Sequence, residues 1–64
     1  MFIEFNTKNH RVYVDVNKII YIHPGYDGKA TWIVFGPNDF EILVEHPCNY
    51  VIQQIGVAKL RSTV

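Results

Sequence analysis

The stretch Ala30-Thr31-Trp32-Ile33-Val34-Phe35, Gly36-Pro37-Asn38-Asp39, Phe40-Glu41-Ile42-Leu43-Val44-Glu45 decides the fold. Two apolar runs rich in β-branched and aromatic residues flank a cluster of turn formers, the pattern of a β-hairpin closed by a four-residue loop. Pro37 presets φ for a type I turn, and Asn38 and Asp39 bond nearby backbone. A loop of that length sets Phe35 opposite Phe40, Ile33 opposite Ile42 and Thr31 opposite Val44. Side chains alternate along a strand, so these residues share one face, the more apolar one and the core candidate. The other face takes Val34 against Glu41, Trp32 against Leu43 and Ala30 against Glu45. A slip of one residue would exchange the two sets.

Upstream, Pro24-Gly25-Tyr26-Asp27-Gly28-Lys29 holds strong breakers and reads as a loop between strands. Closing it directly puts His23 opposite Ala30, Ile22 opposite Thr31, Tyr21 opposite Trp32 and Ile20 opposite Ile33. Ile20 and Ile22 then join the core face. Tyr21, Trp32 and Leu43 form a row across the other face, with Ile19 and Val34 beside them and His23 on the same side. Both loops give the same division of residues between faces, and that agreement supports the sheet. Farther back, Arg11 to Val16 alternates, with Val12, Val14 and Val16 pointing one way and Arg11, Tyr13 and Asp15 the other. Phe2 to Phe5 reads as a first strand, Asn6-Thr7-Lys8-Asn9 as a polar turn, and Asn17-Lys18 as a bend into the strand Ile19 to His23.

After Glu45 the period changes. Pro47 suits the first position of a helix, where its missing N–H costs nothing. Cys48, Val51, Ile52 and Ile55 follow at helical spacing, with Asn49, Gln53 and Gln54 on the polar side. The helix either stops at Gly56, in a left-handed cap, or continues through Ala58 and Leu60 to Arg61 at a cost of about 1 kcal/mol for the glycine. Lys59 and Arg61 favour a helix C-terminus. The final Ser-Thr-Val is expected to fray. The fold expected is α+β: an antiparallel sheet of four or five strands with one C-terminal helix packed on one face. That face carries Val12, Val14, Ile20, Ile22, Ile33, Phe35, Phe40, Ile42 and Val44. A single short helix covers one face of such a sheet and leaves the Tyr21, Trp32 and Leu43 face without a lid.

A chain of 64 residues is expected to form one small domain, 1–64, with a modest core. Its 48% hydrophobic content is too high for disorder. A formal net charge of zero argues against an electrostatic nucleic-acid binder, which usually carries a basic patch. Cys48 is the only cysteine, so no internal disulfide forms. No signal peptide and no apolar run of transmembrane length is read, which places the chain by default in the cytoplasm, away from the membrane.

Chemistry-bearing residues are sparse. Three histidines and one cysteine invite a metal, but His46 and Cys48 are one residue apart, and a Cys-x2-4-Cys spacing is missing. No metal and no cofactor is expected. His46 is read as helping to cap the helix, and Cys48 as a small hydrophobe facing the core, where a thiol is normally inert. No phosphate-binding loop or nucleophile motif is present. A small sheet with one helix also rarely forms a pocket of enzyme size, so the chain is read as non-enzymatic.

The order of elements resembles the small flagellar-motility proteins of the FlbD type. The residues that carry the likeness are Asn17 to Ile22, Thr31 to Phe35, Ile42 to Glu45 and Val51 to Ile55. The pattern is shared by many short bacterial and prophage proteins. The chain departs from the FlbD type where Asn-Gly turns are replaced by Lys8-Asn9-His10 and Gly36-Pro37-Asn38-Asp39, and where a Glu-Ser pair before the helix is replaced by His46-Pro47. The resemblance implies the fold, and it leaves a flagellar-type accessory role as one alternative function. Ile19-Ile20-Tyr21-Ile22 also looks like the sheet of LytTR-type DNA-binding domains, for which this chain is too short.

The functional expectation is an interface. Its residues are Tyr13, Ile19, Tyr21, Trp32, Val34, Glu41, Leu43 and Glu45, with Arg11 and Asp15 as further rim charges. Contiguous exposed aromatic patches mark interaction sites, and Trp and Tyr are enriched at binding hot spots. The partner is another protein or a second copy of the chain. The role is accessory or regulatory, with a phage-encoded inhibitor of a host complex as one setting. Stacking of single-stranded nucleic acid on the same face is the alternative, with Lys18 and Lys29 guiding the backbone. In a competing reading the N-terminal strand or the last eight residues fold across this face and complete a barrel-like core.

Overall fold

A computed structural model of the chain describes residues 2–62, with Ser62 described by its backbone alone. Strand β1 (Phe2–Asn6) and strand β2 (Arg11–Asp15) form an antiparallel hairpin, with Ile3 opposite Val14 and Phe5 opposite Val12. Alternation turns Ile3, Phe5, Val12 and Val14 to one side and leaves Phe2, Glu4 and Tyr13 in solvent. The turn between the strands is held by Thr7. Its N–H donates to the His10 carbonyl (2.7 Å), and its hydroxyl accepts from the His10 N–H (3.2 Å).

A 3-10 turn, Val16–Lys18, follows, capped by the Asp15 carboxylate accepting from the Asn17 N–H at 3.0 Å. It carries the chain out of the hairpin and into a second sheet. Strands β3 (Ile19–Gly25), β4 (Ala30–Phe35) and β5 (Phe40–Val44) are antiparallel, with β4 central. The architecture is therefore α+β with two antiparallel sheets, of two and three strands. This corrects the expected single sheet of four or five strands. The bend foreseen at Asn17-Lys18 is a helical turn that breaks the sheet in two.

The β4–β5 register matches the sequence reading at every pair, from Thr31↔Val44 to Phe35↔Phe40. The four-residue loop is Gly36–Asp39, with a cis Gly36–Pro37 peptide and Asp39 at φ 53°. The β3–β4 register differs: His23 faces Trp32 and Ile22 faces Ile33, two places from expectation. Pro24 and Gly25 stay extended, and the turn is made by Tyr26, Asp27 and Gly28, all at positive φ. β3 is an edge strand, where a proline can leave its missing N–H toward solvent. A shift of two preserves the face of every residue, so Ile22 still points inward.

A bulge between Ile19 and Tyr21 overturns two further expectations. Ile19 faces Phe35 and packs against the core, while Ile20, expected inside, is 54% exposed. Its Cδ1 lies 3.0 Å from where a Cβ on Gly36 would stand, so the bare glycine backbone is what it rests on. Phe40, also expected in the core, lies at the hairpin tip and is exposed.

Helix α1 (Cys48–Ser62) runs through Gly56, settling the choice between stopping and continuing. Its first i→i+4 bond runs from the Val51 N–H to the Pro47 carbonyl, so Pro47 stands one place before the position expected. The expected fraying of Ser62, Thr63 and Val64 falls outside the described residues for 63 and 64; Ser62 closes the helix. Val51, Ile55 and Ala58 face inward, whereas Ile52, expected on the apolar stripe, is 60% exposed. The buried cluster joins Ile3, Phe5 and Val14 of the hairpin, Val16 of the 3-10 turn, Ile33 and Val44 of the second sheet, and Val51 and Ala58 of the helix. Each large buried side chain there contributes about 1.5–3 kcal/mol.

A methyl group on Gly56 would meet nothing within 4 Å. Gly56→Ala should therefore raise stability by about 0.5–1 kcal/mol through helix propensity alone. A urea melt checks this, and a lower midpoint would contradict an open, helical Gly56.

Candidate interaction surface

The hairpin and α1 contribute to the same cluster as Ile33 and Val44, so both lie against the inner face of β3–β4–β5. The outer face gives no residue to that cluster, and the hairpin's turn, Thr7 to His10, stands beside it across a groove from Trp32 and Leu43. The competing reading, in which the first strand or the last residues fold across this face, is not what the described chain does.

On the outer face the rows are His23–Trp32–Leu43 and Tyr21–Val34–Glu41. The expected row of Tyr21, Trp32 and Leu43 is corrected by the two-place shift, which puts His23 where Tyr21 was expected. The rings form a ladder. His23 stacks on Trp32 with centroids 6.3 Å apart and an 18° interplanar angle, and Tyr21 leans on His23 at 6.1 Å. His23 Nε2 lies 3.5 Å from Glu41 Oε2, tying the ladder to the neighbouring carboxylate. Tyr21 is 54% exposed, and Trp32 and Leu43 are partly buried.

Trp32 is seated by a glycine. A Cβ on Gly25 would stand 3.0 Å from Trp32 Nε1 and 3.3 Å from Leu43 Cδ1, so the indole lies over bare backbone. Gly25 has φ −133° and ψ 160°, a conformation open to any residue, so its role is space rather than backbone freedom.

Of the residues expected at the interface, Tyr21, Trp32, Glu41 and Leu43 lie together on this face, with Glu45 at its end and exposed. Val34 shares the face but is 1% exposed, sheltered in the central strand between the larger Tyr21 and Glu41. Ile19 points into the core because of the bulge. Tyr13 is exposed but belongs to the other sheet, opposite Glu4, and Arg11 and Asp15 go with it. Val34 thus holds its expected face but is buried there, while Ile19 and Tyr13 do not hold the places expected of them.

It also missed Tyr26. This residue sits at φ 48°, a conformation that costs a bulky side chain about 1–2 kcal/mol, and its ring is 70% exposed. A groove of about 610 Å³ runs from Tyr26 past Trp32 and Leu43 and around β5 to Val12, with Lys8 and His10 on its far bank. A second groove of about 600 Å³ continues it toward Phe35 and Phe40, sharing Val12 and Ile42.

Neither His46 nor Cys48 lies on this surface. His46 does not cap the helix as expected. Its Nε2 accepts from the Asn6 N–H (3.1 Å), and its ring stacks on Tyr50 at 4.6 Å. Cys48 Sγ lies 3.3 Å from the Thr31 hydroxyl, which donates to the His46 carbonyl at 2.8 Å. Among the described residues no group of three His, Cys, Asp or Glu side chains is placed to hold a metal ion. No helix of the described residues is long and apolar enough to cross a membrane. Compared with known proteins, the chain matches no family model, no curated protein and no solved structure.

The packing of Trp32 on Gly25 is open to a direct check, because the chain has a single tryptophan. Gly25→Ala should push the indole outward by a few tenths of an ångström and shift its fluorescence to longer wavelength, with the fold kept. Unchanged emission would contradict the seat described.

Proposed function

We infer that the chain is a non-enzymatic protein-binding module that docks through the outer face of β3–β4–β5. The observation that carries this is the ladder of Tyr21, His23 and Trp32, the last two stacked and Tyr21 tilted onto His23, on the face turned away from the core cluster of hairpin and helix. Exposed aromatic surface is unfavourable in water, and its burial against a partner is the ordinary gain from leaving it open. Leu43 extends the apolar centre, and Glu41 and Glu45 form a charged rim, the usual anatomy of a protein interface. Tyr26 adds support: a strained backbone that presents a ring to solvent points to use of the ring rather than to stability. The two carboxylates weigh against stacked single-stranded nucleic acid, whose phosphates they would repel. The role that fits is accessory or regulatory, with the activity residing in the bound partner.

Affinity capture from the native host, quantified by mass spectrometry, tests the reading. Trp32→Ala should lose its partner about thirtyfold, the effect of removing one hot-spot aromatic. Ile52→Ala, on the exposed side of the helix, should bind as the parent does. Circular dichroism and a cooperative melt check that both variants fold. Full capture by a folded Trp32→Ala protein would refute the reading. Tyr26→Asn relieves the left-handed residue, so it should leave stability equal or higher while weakening capture; a gain in both would remove Tyr26 from the surface.

A further inference from the structure

We propose that the partner presents an extended strand to the free edge of β5 and sets a basic side chain against Glu41. The proposal rests on the reading of the outer face given above and specifies what docks there.

β5 is bonded along its length to β4 alone. The Glu45 N–H, just past its end, donates to the Asn6 carbonyl at 2.7 Å and so faces away from β4. Backbone groups alternate in direction along a strand, so the N–H and C=O of Leu43 and Glu41 face the same open side. Among the described residues no backbone bond reaches either of them from that side. An unpaired edge of this kind is a template for an added strand.

The groove of about 610 Å³ takes lining from both faces of β5: Glu41, Leu43 and Glu45 from the outer face and Ile42 from the inner one, with Val12 across it. A strand laid along this edge sends alternate side chains to the two faces. One set meets the apolar seam of Val12, Ile42 and, through the adjoining groove, Phe40. The other set lies beside Trp32, Leu43 and Glu41.

β3, β4 and β5 contain no Lys or Arg, while β5 and the residue after it present Glu41 and Glu45 on the outer side. Lys8, the lysine that lines the groove, stands on its far bank beside His10, across from Glu41 and Glu45. A basic side chain on the added strand therefore has its place at Glu41, beside the His23 ring that already meets this carboxylate at 3.5 Å. A second copy of β5 supplies no such group. Paired antiparallel about Ile42 it sets Leu43 opposite Glu41, and paired about Leu43 it sets Glu45 there. The occupant that complements this edge is a foreign segment with basic residues alternating with apolar ones.

The test is selection of short random peptides, displayed on phage, against the folded full chain. A selected peptide is then synthesised, and amide exchange is followed by NMR. Enriched peptides should alternate Lys or Arg with β-branched or aromatic residues. Binding should protect the Glu41 and Leu43 amides. Glu41→Gln should weaken the peptide about fivefold, the scale of one partly exposed charge pair. An N-methyl group on a peptide amide facing β5 should abolish binding.

Enrichment without basic residues, protection elsewhere, or no enrichment at all overturns the proposal. So does self-association of the parent chain that protects the same two amides, since the occupant is then a second copy. If Glu41 merely guards the edge, Glu41→Gln will self-associate and leave peptide affinity unchanged, which also overturns it. A failed selection alongside Trp32-dependent capture sinks this proposal alone. Capture that ignores Trp32 sinks the surface reading itself.

Discussion

The structure depends on how Asn6 is shared. Its carbonyl accepts from the Glu45 N–H at 2.7 Å, and its own N–H donates to His46 Nε2. Three residues thus tie the end of the hairpin to the end of β5 and the start of the helix. Thr31, fully buried, secures the same junction from the central strand by donating to the His46 carbonyl. Neither sheet is large enough to close a core alone. Joined at this corner, they bring Phe5 and Val14 over Ile33 and Val44 and leave one side for Val51 and Ala58 of the helix to fill.

That arrangement decides which surface is left. The hairpin and the helix both serve the inner face of β3–β4–β5. The outer face is completed only by its own side chains stacking on one another, and this is what the Tyr21–His23–Trp32 ladder does. Gly25 lets the indole settle on the sheet, and Val34 is buried between the larger Tyr21 and Glu41. The result is an aromatic surface with carboxylates at its border and an unpaired strand edge beside it.

Much of this was legible in the chain. The Gly36-Pro37-Asn38-Asp39 loop fixed the β4–β5 register because its length and turn residues leave little choice. The division of β4 into inner and outer residues followed from it. Helical spacing after Pro47 located α1. What escaped has local causes. A loop read from its breakers was too long because Pro24 and Gly25 can stay extended on an edge strand, and that moved Tyr21 by two places. The adjacent pair Ile19-Ile20 hid a bulge, since alternation cannot say which of two neighbouring isoleucines turns inward. Asn17-Lys18 looked like a bend within one sheet, yet the Asp15 cap closes a helical turn that divides it. Tyr26 carried no signal beyond being an aromatic inside a turn; only its positive φ and its exposure set it apart.

The central claim is that the outer face of β3–β4–β5 is open in the free protein. Solution NMR with a soluble paramagnetic agent tests it most directly, by the attenuation of side-chain signals. The ring protons of Tyr21 and the outer edge of Trp32 should be strongly attenuated, while the methyl groups of Ile33 and Val51 keep full intensity. Trp32 and Tyr21 signals as well protected as those of Ile33, in a monomer, would mean that the face is covered and would contradict the account.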